Sequence, residues 1–237
     1  MANKKGLDLK RVVLLGRTLE EYRRFFGLDL EALRGKTVLD VASGVSSFTA
    51  EMGALRFDAT AFDRIYAASA EEIRARCEPD LEEVTRDIAT KPVYRWDFYK
   101  SAEGMREFRV RAYKTFLKDF TRNRERYVEG ELPRTPFHDR QFYLTLASYL
   151  LFVYEDQLSY EFHKETLREL MRVTTGEIRI YPIVTFEAEP SKYLQRIRKE
   201  PEFRNWEFEV VPTDFEFLRN SNCYLRLRRE EAGARHQ

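Results

Sequence analysis

A turn of small residues between a strand and a helix is the first feature of this sequence that could do chemistry. The stretch KTVLDVASGVSSFTAEM, residues 36–52, runs from an apolar strand through Ala42, Ser43 and Gly44 into a helix. Gly44 lets the backbone approach a ligand closely or adopt a positive φ. A carboxylate at the end of the next strand, Asp63, follows about 20 residues later, in reach of the hydroxyls of a ribose. The pattern predicts a nucleotide-like ligand; alternatively, Gly44 merely ends a strand and Asp63 caps a helix.

Strands and helices that would position this turn alternate along the chain. The apolar runs 37–42 and 57–63 predict two strands joined by a helix of about ten residues, an order that implies a parallel crossover. The alternation resumes with a strand, a helix and a strand, predicted at 140–148, 159–173 and 176–184. A short helix, SKYLQRIRKE, is then followed by the strands WEFEVVPT and CYLRLRR. The loop between these two strands is too short for a crossover, so we expect them to be antiparallel.

Two helical parts lie outside this alternation. LGRTLEEYRRFFGL places Leu15, Leu19, Tyr22, Phe25 and Phe26 at helical spacing and ends at Gly27. Residues 78–125 read as an inserted helical cap, interrupted by the aromatic stretch VYRWDFYK. We therefore expect one domain, 1–237, made of an N-terminal helical lid at 1–35 and a core at 36–230 that carries the insertion. The aromatic residues of both helical parts could close over a small acceptor, or could form the seam that docks these parts to the core.

Composition limits the classes of function. Lys and Arg total 41 and Asp and Glu 40, a net charge of +1, so no global field favours nucleic acid or an anionic membrane. The two cysteines, Cys77 and Cys223, have no spacing typical of zinc or redox sites. No signal-type apolar segment or run of about 18 apolar residues is found, so we expect a soluble, cytoplasmic protein that does not bind membranes.

The chain resembles the class I S-adenosylmethionine-dependent methyltransferases. Their first motif, an acidic residue followed by a turn of small residues, is matched by Asp40, Ala42, Gly44 and Ser46, and the acidic residue after their second strand by Asp63. Ala42 and Ser46 stand where glycines are common in that family. The resemblance implies S-adenosylmethionine as the cofactor and S-adenosylhomocysteine as the product.

A later segment, RYVEGELPRTPFHDRQFYLTLAS, fits the layout of the same family. Glu131 takes the position near the adenine, Pro136 and Phe137 precede the fourth strand, and Ser148 ends it. The family's acidic residue in that strand is missing, because Phe142 is followed by a tyrosine. The resemblance covers about residues 36–230 and implies an α/β Rossmann-like fold: a doubly wound, mostly parallel seven-stranded sheet with an antiparallel last strand.

The resemblance also implies which residues bind ligands. The residues expected to bind the cofactor are Asp40, Ala42, Ser43, Gly44, Asp63, Arg64, Glu131, Leu132 and Ser148. Tyr22, Tyr149 and Phe152 are candidates for the acceptor pocket, although a place in the core is favoured for Phe152 and for Tyr154. No catalytic base is assigned, because a sulfonium methyl is already activated and a base is optional. The three histidines, His138, His163 and His236, lack the spacing of a metal site, so no metal is implied.

The acceptor is not defined by the sequence. A small molecule is favoured, and an RNA or protein substrate, or a scaffold that binds cofactor without turnover, remain as alternatives. The runs RVRAYK and TRNRERY interleave basic and aromatic residues that could contact nucleic acid. Interspersed acidic residues favour a solvated helix face with paired charges instead. The oligomeric state is not predicted.

Overall fold

One mixed β-sheet forms the centre of the molecule. The computed structural model describes residues 5–7, 9 and 11–230. The strands are β1 (Thr37–Val41), β2 (Asp58–Asp63), β3 (Tyr127–Glu129), β4 (Phe142–Ser148), β5 (Thr174–Tyr181), β6 (Trp206–Pro212) and β7 (Cys223–Arg229). Their order is β3-β2-β1-β4-β5-β7-β6; β1 to β5 are parallel, and β7 is antiparallel to both β5 and β6. The predicted doubly wound sheet with an antiparallel last strand is confirmed.

Helices cover both faces of this sheet. They are α1 (Leu19–Phe26), α2 (Phe48–Ala54), α3 (Ala70–Ile88), α4 (Ala102–Phe120), α5 (Tyr160–Val173) and α6 (Lys192–Ile197). Alternate residues of β1 point to opposite faces. Val38 packs in the same apolar cluster as α1 and α2, whereas Leu39 and Val41 pack with α5 and α6. This strand is therefore buried on both sides, as its uninterrupted apolar sequence predicted.

Helix α1 packs as part of the core. Thr18 and Glu21 form a capping box at its start, and Gly27, with φ of 56°, ends it. Tyr22, Phe25 and others on its apolar face are fully buried, and the helix packs against α2, β5 and β7. The structure therefore favours the docking seam over the lid for this helix. Leu15, expected within the helix, lies before it because Thr18 caps the first turn.

Two long helices, α3 and α4, account for most of the predicted insertion. They pack against each other, and α4 also packs against α2. Ile73 and Cys77 of α3 share a buried cluster with Phe116 and Phe120 of α4. The insertion expected at 78–125 thus begins inside the continuous helix α3 rather than at a boundary between elements.

Strand ends differ from prediction for local reasons. β1 ends at Val41 because Ala42 has φ of 52°, which leaves the extended region. β5 begins at Thr174, directly after α5 ends, rather than at residue 176. It stops at Tyr181 because the next residue, Pro182, has no amide hydrogen to donate to a ladder. Among the described residues, no helix has the length and apolar character needed to cross a membrane.

Candidate functional site

A cavity of about 330 Å³ opens at the carboxyl ends of the parallel strands. This is where open α/β sheets bind ligands, and the volume lies within the usual range of about 300–1,000 Å³. Its polar wall comes from the ends of β1, β2 and β4 and from the loop after β3, with Ala42, Ser43, Gly44, Asp63, Arg64, Glu131, Leu132, Ser148 and Tyr149. Of the twelve site residues expected from the sequence, these nine line the cavity; Asp40, Tyr22 and Phe152 do not.

The loop after β1 is a tight turn that contains two left-handed residues. Ala42 and Gly44 both have left-handed φ, 52° and 54°, and a Cβ at Gly44 would meet no heavy atom within 4 Å. The Ser46 amide donates to the Ser43 carbonyl at 3.1 Å. The Tyr66 hydroxyl donates to the Gly44 carbonyl at 2.9 Å. These bonds hold the loop in place while the side of Gly44 toward the cavity stays open.

Asp63 connects this loop to the next strand. Its Oδ2 accepts the Gly44 amide and its Oδ1 accepts the Ile65 amide, both at 2.9 Å. The second bond makes Asp63 the cap of a short 3-10 helix, Arg64–Ala67, as the capping alternative predicted. Each carboxylate oxygen has a further lone pair, which leaves capacity for two hydroxyl donors from a ligand. Burial raises the pKa of Asp63, and hydroxyl donors would favour its ionised form.

Asp40 lies beneath the loop, behind the cavity wall. It is fully buried and accepts a hydrogen bond from Ser43 Oγ at 2.5 Å and from the Tyr22 hydroxyl at 3.0 Å to each oxygen. Burial raises the pKa of Asp40 to about 7, an effect that these two hydrogen bonds only partly offset. Because β1 turns Asp40 toward α1, both Asp40 and Tyr22 support Ser43 rather than reach the cavity themselves.

Three expected residues lie along the far wall. Arg64 and Glu131 form an exposed ion pair at 3.0 Å, which contributes little by itself because water screens it. Leu132 beside them is buried and gives this wall an apolar surface. Ser148, at the end of β4, is 8% exposed and its Oγ has no hydrogen-bond partner among the described residues.

Tyr149 and Phe152, both candidates for the acceptor pocket, lie in different parts of the structure. Tyr149 lines the cavity with φ of 54°, and the Arg17 guanidinium lies 4.2 Å from its ring centre. Phe152 lies in the core between sheet and helix, fully buried. Its amide donates to His163 Nε2 at 3.1 Å, and Phe152 does not line the cavity. Tyr154, for which a place in the core was favoured, is buried in the core and also lines the cavity.

The described histidines have structural roles. His163 is fully buried, and its Nδ1 lies 2.8 Å from the Ser159 carbonyl, which can only accept, so the proton is assigned to Nδ1. Burial lowers the pKa of His163, which keeps it neutral. His138 is exposed and does not line the cavity. His236 lies outside the described residues. No cluster of metal-ligating side chains occurs in the described part of the chain.

A buried ionic network at the cavity was not anticipated from the sequence. Arg109 of α4 donates to Glu21 at 2.6 Å, to the Gly16 carbonyl at 3.0 Å and to the Tyr99 hydroxyl at 2.6 Å. Burial opposes the ionisation of Glu21, but the guanidiniums of Arg109 and Arg17 outweigh it and lower the pKa of Glu21. Arg109 was the residue that could have indicated this network. It belongs to the basic run RVRAYK, which was interpreted as part of a solvated helix face.

The other arginines of the basic runs are mostly paired, as the solvated-face interpretation expected. Arg111 lies 3.4 Å from Glu20, and Arg126 lies 3.4 Å from Asp119. Arg124 donates to backbone carbonyls, including that of Tyr66 at 2.5 Å. These guanidiniums are directed at the protein's own acceptors.

An extended segment, residues 11–17 together with the described residues before it, covers the cavity. The Leu14 amide donates to Asp80 at 2.9 Å, and Gln157 Nε2 donates to the Leu9 carbonyl at 2.5 Å. The Arg17 amide donates to Ser46 Oγ at 3.0 Å, which attaches the segment to the loop after β1. The covering role expected of the N-terminal helix thus falls on the residues that precede it.

Unpartnered polar atoms concentrate at this cavity. Among the described residues, eight buried side-chain nitrogen or oxygen atoms have no hydrogen-bond partner, and five belong to cavity-lining residues: Arg17, Tyr94, Arg109, Ser148 and Tyr149. Buried polar groups in folded proteins are nearly always hydrogen-bonded. Their concentration here therefore indicates a place that receives a polar ligand.

The fold agrees with the one that the resemblance drawn from the sequence implied. The strand order, with β7 antiparallel beside β5, is that of the class I S-adenosylmethionine-dependent methyltransferases, so the resemblance drawn from the sequence is confirmed at the level of the fold. The chain is 40% identical over 225 residues to the uncharacterized protein MJ0045 of Methanocaldococcus jannaschii, an alignment that covers 94% of this chain and 99% of that protein. It belongs to the same protein family as MJ0045. No family model matches the chain.

Solved structures with related folds are distant. A Methanococcus maripaludis protein, proposed to be an S-adenosylmethionine-dependent methyltransferase, is 15% identical with a TM-score of 0.43, covering 91% of this chain and 85% of that one. Mitomycin 7-O-methyltransferase MmcR is 12% identical with a TM-score of 0.47, covering 89% of this chain and 53% of its own, so this chain spans about half of MmcR. Similarity of this degree carries no functional conclusion for this chain.

Proposed function

We propose that this protein transfers a methyl group from S-adenosylmethionine to a small-molecule acceptor. The observation that carries the proposal is the loop after β1, where Gly44 is left-handed, open toward the cavity and bonded through its amide to Asp63. Such a loop lets a ligand lie against the backbone while the carboxylate at the next strand binds its hydroxyls. The residues of this wall fit the nucleoside part of the cofactor.

Each wall residue has an assigned part in holding the cofactor. Asp63 would accept the ribose hydroxyls, and Glu131 and Leu132 would lie beside the adenine. Ser148 Oγ, which lacks a partner in the described structure, would bond the polar end of the cofactor. Asp40 and Tyr22 would act indirectly, by orienting Ser43. When bound, the cofactor would supply a methyl group activated by a positively charged sulfur. As the acceptor's lone pair bonds to the methyl carbon, the carbon–sulfur bond breaks and the sulfur is left as a neutral thioether.

The protein's own contribution to this reaction is positioning and exclusion of water. Residues of the segment 11–17 and buried side chains behind it line part of the cavity, where they would limit the access of water to a bound ligand. Holding two reactants in line in such a place can supply on the order of 7–11 kcal/mol of a bimolecular barrier. A dedicated base is optional for nitrogen or sulfur acceptors.

Calorimetric titration with S-adenosylmethionine and S-adenosylhomocysteine tests the proposal. We expect micromolar dissociation constants for the wild-type protein. Gly44→Val should weaken both by at least about tenfold, because the added side chain extends into the space that the ligand needs.

Gly35→Val is the matched control for this titration. Gly35 has φ of 68°, also has no heavy atom within 4 Å of a Cβ, and precedes β1 at the end opposite Gly44. Both substitutions strain a left-handed residue by about 1–2 kcal/mol, so both should lower stability by a similar amount. Only Gly44→Val should lose affinity. Folded wild-type protein that binds neither compound would refute the proposed function.

A further inference from the structure

The cavity continues beyond the loop after β1 into an apolar chamber. Its walls come from the cover, from α3 and the segment that follows it, and from the loop after β6, through Val13, Val84, Ile88, Tyr94, Phe217 and Leu218. Tyr94 and Phe217 pack with ring centres 5.0 Å apart, and all six residues belong to one buried cluster. This part of the cavity offers a small molecule mainly aliphatic and aromatic surface.

Arg17 places a positive charge beside this chamber. The residue is 7% exposed, and its guanidinium lies over the Tyr149 ring. The one hydrogen bond that the guanidinium makes in the described structure goes from Nη1 to the Leu15 carbonyl, and its Nε is buried without a partner. No described carboxylate lies within ion-pair distance of it. Most of its five N–H donors are therefore unused.

Arg109 is a second buried guanidinium at the same cavity and, unlike Arg17, it has an ion-pair partner. It lies 2.6 Å from Glu21 and also contacts the Tyr99 hydroxyl. Arg17, Arg109 and Glu21 together carry two positive charges and one negative charge, so this buried cluster has a net charge of +1. A buried charge without an ion-pair partner costs several kcal/mol. An anion that bound Arg17 would offset that cost.

We propose that the apolar chamber binds the methyl acceptor and that Arg17 binds a carboxylate group on it, so that the substrate is an apolar small molecule carrying one negative charge. This rests on the proposed function. A single guanidinium matches a monoanion, and its planar fork pairs with a carboxylate through two parallel hydrogen bonds. The amino-acid part of the cofactor also has a carboxylate that Arg17 could bind. The experiment therefore distinguishes the carboxylate of the acceptor from that of the cofactor.

The test is calorimetric titration of protein saturated with S-adenosylhomocysteine, using two probes that differ only in charge. 3-Phenylpropanoate carries the carboxylate, and 3-phenylpropanamide is its neutral equivalent of nearly the same shape. We expect the carboxylate to bind wild-type protein at least about tenfold more tightly than the amide, the effect of one charged hydrogen-bonded pair. Equal affinities, or no binding of the carboxylate, would overturn the proposal without any variant.

Two variants assign the effect to Arg17. Arg17→Met keeps an apolar stem and removes the charge, and it should abolish the preference for the carboxylate. Arg76→Met removes a cation that lines the same cavity but is exposed, and it should leave the preference unchanged. If Arg76→Met abolished the preference instead, the anion site would not be at Arg17.

The cofactor as the source of the carboxylate is tested with 5′-methylthioadenosine, which lacks the amino-acid part. If Arg17→Met weakened S-adenosylhomocysteine about tenfold and left 5′-methylthioadenosine unchanged, Arg17 would bind the cofactor and the acceptor proposal would be overturned. If wild-type protein bound S-adenosylhomocysteine but did not distinguish the two probes, the acceptor proposal would fail while the proposed function stood. Absence of S-adenosylhomocysteine binding would instead reject the proposed function.

Discussion

Asp40 and Asp63 lie near the carboxyl ends of neighbouring parallel strands, yet only Asp63 lines the cavity. Asp40 pairs with Ala61, two residues before Asp63, so both carboxylates are on the same face of the sheet and the difference follows from what covers each of them. Asp40 points toward α1, where Tyr22 and Ser43 donate to it. Asp63 is half buried, and its bonds to two backbone amides leave lone pairs for a ligand.

Replacing Asp63 with Ala should lower the affinity for S-adenosylhomocysteine by at least about tenfold, because it removes charge-assisted hydrogen bonds to a ribose. Calorimetry measures this, with Asp58→Ala as the control. Asp58 lies at the start of the same strand, is exposed and does not line the cavity. Unchanged affinity in a folded Asp63→Ala variant would remove Asp63 from the site.

Asp40 should make stability depend on pH. Its pKa in the folded protein is about 7, because burial disfavours the charged form, against an ordinary value of 3.8. Between these values the folded protein holds a proton that the unfolded chain releases. The stability contributed by this group is therefore complete below about pH 4 and is lost as the pH rises through about 7.

Asp40→Asn removes this dependence. From about pH 4 to about pH 8, the free energy of unfolding of the wild-type protein should fall relative to that of Asp40→Asn by up to roughly 4 kcal/mol, at about 1.4 kcal/mol per pKa unit. Urea denaturation across this pH range measures the difference. Parallel curves for the two proteins would show that Asp40 titrates normally.

At the scale of elements, the N-terminal region divides into two parts with different roles. Helix α1 contributes Tyr22, Phe25 and Phe26, all fully buried. The extended segment before it contributes Leu7 and Leu9, which lie against the cavity and are also buried. The helix belongs to the core, and the segment covers the site.

Two truncations should separate these parts. Removing residues 1–9 should leave a folded protein with a lower Tm, since it loses about 1.5–3 kcal/mol for each of two buried leucines. Removing residues 1–27 should prevent folding, since it takes three fully buried aromatic side chains out of the core. Circular dichroism with thermal melting measures both. A cooperatively folded 28–237 protein would contradict the core assignment of α1.

At the scale of the whole molecule, the charge distribution favours a small substrate over nucleic acid. The net charge is +1, and several arginines of the basic runs, such as Arg111 and Arg126, lie near carboxylates. Residues of the chain's own N-terminal segment also line part of the cavity.

Fluorescence anisotropy with a labelled transfer RNA tests this expectation. At about 150 mM salt we expect only non-specific binding, no tighter than about 1 µM. A longer acidic polymer, heparin, should compete equally well for such binding. Saturable binding that is tighter than about 1 µM and is not displaced by heparin would favour an RNA substrate. The search for the methyl acceptor would then turn to RNA.

The sequence by itself determined the order of strands and helices, the antiparallel last pair, and the turn with Gly44 followed by Asp63. These features are local, because an apolar run indicates a strand that is buried on both faces and a run of small residues indicates a tight turn. The same local patterns could not place Phe152, because an aromatic residue after a strand is apolar whether it lines a pocket or the core. Its position was decided by tertiary packing, which places it in the buried cluster that also contains Leu167 and Ile180.

Only the tertiary structure decided which side chains meet at the cavity. Arg17 lies beside Tyr149, more than a hundred residues away along the chain, because the segment before α1 crosses the carboxyl edge of the sheet. Arg109 is buried because Glu21 lies opposite it when α4 packs beside α1 and α2. A sequence pattern shows whether a residue is apolar or charged. Which partner a buried charge meets depends on how elements that are distant in the sequence pack together.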